Sequence, residues 1–274
     1  LHVSIAAGKR VFDPDRVEAP GAAPDGSAWT RRALRVSLRD YLQGDASPLS
    51  APAEFAGERR VLYGRLKNGV GYVALFAQGG WAPGLDENAP ASAHVAAAMT
   101  ALDAVLQELQ DAPGLIVDLR ENTGGFDAVS TAIASRFADA PRVSWRKKAG
   151  AEQPYDVVIS PSALGRYRGP LAVLVGPNTV SAGESMAQAL AVLPQATLLG
   201  RPTRGAWSDA IPKTLPNGWT FTLSIEEAFT PEGAPLEVAG VKPDVVTTAP
   251  QSSDPAELWG RDIAAAERLL RDKR

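Results

Sequence analysis

Apolar positions at Trp29, Leu34, Leu38 and Leu42 form a stripe that Ser27 can cap and Gly44 ends, and their spacing predicts a helix. Before it, residues 7–27 (AGKRVFDPDRVEAPGAAPDGS) have no period and read as a long loop. The runs RVLYGRL and VGYVALF flank Lys67, Asn68 and Gly69, and Asn-Gly between two such runs predicts a hairpin. Val95, Met99, Leu102, Leu106 and Leu109 recur at helical spacing and lead into GLIVDL, a continuous apolar run suited to a strand covered on both faces. Val129, Ile133 and Phe137 mark a further helix, LAVLVG a further buried strand, and Ser185 to Leu193 another helix. Helix and strand therefore alternate from about residue 92 to 200, which predicts an α/β core with parallel strands. Strand-like pieces around WTFTLSI and an amphipathic helix from about Pro255 follow, and no internal repeat is present.

Composition removes several classes of function. The 274 residues accommodate one large α/β domain with a small appendage, divided as an N-terminal segment 1–58, a core 59–250 and a C-terminal helix 251–274. The net charge is -3 and the Lys and Arg residues are scattered, so the basic stripe of a nucleic-acid partner is missing. No apolar run approaches the length of a membrane span. The chain starts at Leu1 and not at Met, so residues upstream of it are expected. With no cysteine, disulfides and thiolate nucleophiles are excluded, and a covalent catalyst must be an oxygen or a lysine.

Two junctions carry unusual chemistry. In DLRENTGGF, residues 118–126, a predicted buried strand ends and Gly124-Gly125 opens the next helix, where the first amides have no helical partner and can hold an oxyanion. Paired glycines with Asn122 as a local cap also suffice for a simple tight turn. In NTVSAGESMAQAL, residues 178–190, Ser181 precedes a helix whose dipole places partial positive charge at its start, and the amide of Ala182 follows. A serine there also serves as an ordinary N-cap, and Glu184 suits a capping role in the same turn. Both junctions end strands of one α/β unit, which is where such sheets place their sites.

DLRENTGG resembles the D-L-R-x-N-x-G-G signature of the tail-specific, or C-terminal processing, serine peptidases of family S41, and TVSAGE is similar to that family's nucleophile segment. GRPTRG, LPNGWTF and EVAGVKPD continue the resemblance in the family's order, over roughly residues 60 to 250. The resemblance implies a crotonase-like (ClpP/crotonase-type) α/β fold, hydrolysis of a peptide or protein substrate through a serine acyl-enzyme, no metal or organic cofactor, and a periplasmic or secreted location. No PDZ insertion is recognisable between the first helix and the hairpin. Where one branch of the family has the lysine of T-x-G-K as base, this chain reads Thr203-Arg204-Gly205-Ala206. It is similar instead to the tricorn-like and retinoid-binding-protein-like branch, which uses a histidine near the start and a glutamate near the end. On that pattern Ser181 is the nucleophile, His2 the base and Glu237 the orienting carboxylate, with the oxyanion hole at Gly124, Gly125 and Ala182. Leu1 stands where tricorn-like members carry a further serine, and Ser208-Asp209 belong to the same pattern without a role. His94, at the start of an amphipathic helix, is expected to be a solvated or cap-proximal residue. The alternatives are a catalytically silent member that binds peptide or a hydrophobic ligand, and a crotonase-like enzyme acting on an acyl thioester.

Overall fold

The computed structural model describes residues 31–86, 88–164, 167–249, 254 and 256–273. The hairpin forms as its Asn-Gly pair requires, with Gly69 at φ +86° between β2 (Val61–Arg65) and β3 (Gly71–Leu75), and β1 (Glu54–Ala56) adds antiparallel to β2. From β3 the sheet turns parallel through β4 (Leu115–Asp118), β7 (Leu171–Val175), β8 (Ala196–Gly200) and the short β12 (Val245–Val246). Register places Val73, Val117, Val173 and Leu198 in one row across four strands. Tyr72, Ile116 and Ala172 line up one residue earlier and face the opposite way, because strand side chains alternate.

The two faces bury separate cores. Val73, Val117, Val173 and Leu198 pack under α2 (Ala91–Glu108), α3 (Asp127–Ala134) and α4 (Ala182–Ala191). Tyr72, Ile116, Ala172 and Leu199 pack under α1 (Arg31–Gln43), a π-helical turn at Ala256–Gly260 and α5 (Arg261–Asp272). Leu34, Leu38 and Leu42 are buried as their stripe predicts, whereas Ser27 and Trp29 lie outside the described residues. None of the described helices is long and apolar enough to cross a membrane.

Three features depart from the sequence reading. The α4 helix runs from Ala182 to Ala191 and not from 185 to 193, since its first turn is held by polar contacts that apolar periodicity does not register. Phe137 is buried in the turn after α3, not within it. Between α3 and β7 lies an unanticipated pair, β5 (Arg142–Ala149) and β6 (Tyr155–Ile159), which with β11 (Glu226–Phe229) forms an antiparallel three-stranded sheet. The WTFTLSI region forms a separate ribbon, β9 (Ala210–Thr214) with β10 (Thr220–Ser224), and every residue of β9 is exposed.

One buried charge cluster closes the second face. Asp118, at the end of β4, accepts the Tyr72 hydroxyl at 2.7 Å and the Arg120 guanidinium at 2.6 Å. Arg120 in turn reaches the Trp259 carbonyl at 3.2 Å and stacks over the Trp259 ring. Burial, followed by the neighbouring Asp118 charge, pushes the Tyr72 phenol well above its usual range. Removing one partner strands the other charge in the core, so Arg120→Met is expected to cost about 3–5 kcal/mol, read as a lowered urea midpoint. The double change Asp118→Leu with Arg120→Met is expected to cost less than that single change, because the fully buried Asp118 charge is then not left without its cation and only the more accessible Asp262, 3.5 Å from Arg120, loses a partner.

Candidate active site

The loop after β4 and the loop after β7 meet at the C-terminal ends of adjacent strands. Ser181 begins α4 with φ +57° and ψ -131°, a conformation that L residues adopt only when their surroundings enforce it. It is the one residue of the 181–190 stretch that is not buried. The other loop presses directly on it: a β-carbon on Gly124 would stand 2.7 Å from Ser181 Cβ and 3.0 Å from the Ala182 nitrogen. Only glycine permits that approach, and Gly124 also has φ +81°.

Asn122 ties the pieces together. Its Nδ2 donates to the Leu75 carbonyl at 2.8 Å, its Oδ1 accepts from Gly124 N–H at 2.9 Å, and its carbonyl accepts from Val180 N–H at 3.2 Å. The Gly124 amide is therefore occupied, which corrects its expected place among the oxyanion donors: its contribution is the close contact with Ser181. Gly125 is exposed, and among the described residues no acceptor takes its N–H or that of Ala182. Gly125 is fixed by Gln78, whose N–H donates to the Gly124 carbonyl at 2.9 Å and whose carbonyl accepts from Phe126 N–H at 3.3 Å.

The serine elbow is anchored by Glu184, which is fully buried. Its Oε1 accepts from Thr203 Oγ1 at 2.6 Å and Gly205 N–H at 2.7 Å, and its Oε2 from Ala206 N–H at 2.9 Å and Ser181 N–H at 3.2 Å. The capping role read from the sequence is thus only part of what this side chain does. Burial raises its carboxyl from 4.5 to about 7, against the pull of those four donors. A single charged residue in an otherwise small and apolar helix start was the signal for it.

Ala206 returns its carbonyl to Ser181 N–H at 3.1 Å. The next two amides, Trp207 and Ser208, donate to Glu237 Oε2 at 3.0 and 3.1 Å. Glu237 is thereby joined to the serine through three residues of backbone. The Ser208 hydroxyl accepts from Ile225 and Glu226 N–H at 3.1 Å each and so pins the base of the ribbon, while Asp209 faces Lys147 at 3.7 Å. Lys147 also pairs with Asp127 at 2.7 Å and Glu226 at 2.8 Å, and Asp127 accepts the Ser185 hydroxyl at 2.7 Å. Sequence reasoning missed Lys147, because its three carboxylates come from α3, the ribbon base and β11.

His2 lies outside the described residues. His94 is not solvated: it is 1% exposed, stacks on Phe126 at 3.9 Å, and neither ring nitrogen has a hydrogen-bond partner among the described residues. The solvated alternative fails because position 94, in the first turn of α2, faces inward onto the Phe126 ring. Lys213 stands on the exposed β9 ribbon.

A strained serine at a strand-to-helix elbow, beside amides that no acceptor among the described residues takes, is the constellation of serine hydrolases. Within that class, residues 70–247 match Peptidase family S41, and the chain belongs to that family. It is 29% identical over 145 residues to the carboxy-terminal processing protease CtpA of Bacillus subtilis, covering 52% of this chain and 30% of that protein. It is 30% identical over 143 residues to the carboxyl-terminal-processing protease of Synechocystis, covering 52% of this chain and 33% of that protein. The chain thus spans about a third of the length of these relatives. A crystal structure from Parabacteroides merdae named as a candidate peptidase superposes with a TM-score of 0.69 at 27% identity, over 86% of this chain and 69% of that one. One from Bacteroides fragilis named as a candidate S41 protease shares the fold at 17% identity, with a TM-score of 0.56 over 80% of this chain and 59% of that one.

Glu184→Gln sets an amide NH2 against N–H donors, and is expected to cost about 1–3 kcal/mol in urea unfolding. Between the ordinary value of 4.5 and the folded value of about 7 the native carboxyl holds the extra proton, so its contribution to stability falls as pH rises through that window. The deficit of Glu184→Gln is therefore expected to be larger at the acid end of the window than above it.

Proposed function

We propose that this chain is a serine peptidase that cleaves peptide or protein substrates through an acyl-enzyme on Ser181. The observation that carries the reading is the elbow itself: Ser181 is held at φ +57° next to the amides of Gly125 and Ala182, which no acceptor among the described residues takes. In the proposed reaction Ser181 Oγ attacks the scissile carbonyl while His2 takes its proton. The carbonyl oxygen, now an anion, receives the Gly125 and Ala182 N–H groups. His2 then returns the proton to the leaving amine, and water repeats the sequence on the ester. Glu237 serves as the orienting carboxylate, and its bonds to Trp207 and Ser208 N–H favour this by setting it on the segment that touches Ser181 N–H. The base is assigned to His2 on the family resemblance and because Ala206 takes the lysine position.

The crotonase-like form of the α/β fold, a core at 59–250 flanked by 1–58 and 251–274, and action in the periplasm or outside the cell belong to the same reading. The absence of cysteine from the chain agrees with that location. Carboxy-terminal processing is the narrower activity that the names of its relatives suggest.

A fluorophosphonate probe is expected to label Ser181 alone, and Ser181→Ala to abolish the adduct in a peptide-mass map; an adduct that persists in that variant ends the assignment. The acid limb of kcat/KM is expected to report a group titrating at roughly 6 to 7.5, the range of a histidine base. Glu184 titrates in the same window, so two variants separate them. His2→Ala is expected to lose at least about 1,000-fold in kcat/KM, as loss of a triad member does, whereas Glu184→Gln is expected to keep the limb at reduced kcat.

A further inference from the structure

We propose that His94 is a positioning residue for the reaction: stacked on Phe126 behind the oxyanion loop, it fixes the direction of the Gly125 N–H. The inference rests on the peptidase reading for what that N–H does, but the clamp is argued from residues to which that reading gives no part.

The loop needs a constraint at each end. Gly124 and Gly125 follow one another at φ +81° and +142°, and two adjacent residues without side chains have no steric preference of their own that would aim an amide. At the upstream end Asn122 supplies the constraint, since its Oδ1 accepts from Gly124 N–H at 2.9 Å. Gly125 is held instead through what surrounds it. A β-carbon on it would stand 2.7 Å from the Gln78 carbonyl carbon and 2.9 Å from the Gly79 nitrogen, so it lies directly against that backbone. The next residue is Phe126, whose N–H reaches the Gln78 carbonyl at 3.3 Å, and whose carbonyl starts α3 by accepting from Val129 and Ser130 N–H at 3.0 and 3.3 Å. The downstream end of the loop therefore follows the Phe126 side chain. That ring is gripped twice: it stacks on His94, and a β-carbon on Gly79 would stand 3.5 Å from its Cε2.

The choice of histidine carries the inference. The other buried residues of α2 are Ala98, Met99, Leu102, Val105 and Leu106, none of them polar. His94 is 1% exposed and neither of its nitrogens has a partner among the described residues, so this position bears a desolvation cost that leucine or phenylalanine would avoid. A polar group buried at the expense of stability marks a constraint other than packing. Here that constraint is the closeness of the stack. Two phenyl faces repel through their like quadrupoles and stay offset, with centres about 4.5 to 7 Å apart. The imidazole ring is smaller and its charge is unevenly distributed, and it lies against Phe126 at 3.9 Å and 22° from parallel. A bulkier or rounder partner would displace Phe126, and with it the Gly125 peptide, by a distance that matters to a donor aimed at a developing charge.

The test uses the full chain, with reactive serines counted by end-point fluorophosphonate titration so that rates refer to folded sites. His94→Phe removes the two buried nitrogens and is expected to keep or raise the urea midpoint. It is nonetheless expected to lower kcat roughly 10- to 100-fold with KM little changed, a part of what loss of an oxyanion donor costs. The affinity of a peptide aldehyde, whose hemiacetal oxygen occupies the oxyanion hole, is expected to fall by a similar factor. The Kd of the parent peptide for Ser181→Ala is expected to be the same with and without His94→Phe. Phe126→Leu is expected to lower kcat likewise, and the two changes together to lose no more than either alone. Full kcat in His94→Phe, an aldehyde affinity that does not follow kcat, or additive losses in the pair overturns the proposal. Should His94→Phe fail to fold, Phe126→Leu carries the kcat and aldehyde measurements with the same outcomes. If the wild type neither cleaves peptide nor binds aldehyde, the peptidase reading fails, and the amides decide the clamp by themselves. In His94→Leu the heteronuclear proton–nitrogen NOE of Gly125 is expected to fall while that of Gly124, tied to Asn122, holds. An unchanged Gly125 NOE overturns the proposal.

Discussion

The carboxylate of Glu184 sits at the mechanical centre of the molecule. A fully buried carboxyl is costly unless its oxygens are satisfied, and here four donors converge on it: one hydroxyl and three backbone amides. Those donors come from three positions of the 203–206 segment and from Ser181 itself, so the same contacts that offset desolvation also lock the loop after β8 against the start of α4. The positive φ of Ser181 is sustained because Glu184 and the Ala206 carbonyl share its N–H from one side, and Gly124 fills the space on the other.

Around that centre the chain repeatedly uses close backbone approach in place of side-chain packing. A β-carbon on Gly183 would meet Asn122 Oδ1 at 2.6 Å, and one on Gly205 would meet the Val238 backbone at 2.5 Å. Val238 itself has φ +69°, an unfavourable region for a β-branched residue, and its N–H donates to the Gly205 carbonyl at 2.7 Å. Strain on both sides of Ser181 is thus balanced by hydrogen bonds that run between the 203–206 and 236–241 segments, and this sets the distance from Glu237 to the elbow. Lys147 extends the arrangement outward. Its ammonium joins α3, β11 and the residue that leads into the ribbon, and through Asp127 it reaches Ser185 on α4. Burial lowers its proton affinity, but the surrounding carboxylates prevail and hold it above the usual lysine range, which suits a fixed cation and not a base.

Much of this was legible along the chain where the signal is local. Asn68-Gly69 placed the hairpin because the turn needs a positive φ at that glycine, and LIVD and LAVLV read as interior strands because both of their faces are buried. The two junctions were legible because each combines small or polar residues with the end of an apolar run. The β5–β6–β11 sheet was not legible: RVSWRKKA carries four cations in eight residues, and its strand character comes from pairing with segments as distant as β11. His94 was misjudged because a lone polar residue near a helix start carries no mark of the ring it will stack upon.

The amino-acid order by itself determined which residues can do chemistry: one serine and one pair of glycines at the ends of buried strands, no thiol, and no lysine at position 206. It also determined the layer architecture, since apolar period and turn residues act over a few positions. The tertiary structure decided that the Gly124 N–H is taken by Asn122 while that of Gly125 meets no acceptor among the described residues, and that Glu184 is the hub of the elbow. The bond from Gly124 to Asn122 is local, but the elbow as a whole depends on contacts between segments roughly 20 to 60 residues apart, such as Gly205 with Glu184 and Gly124 with Ser181. Hydrogen-bond partnership and burial are properties of pairs that meet only when the sheet has closed.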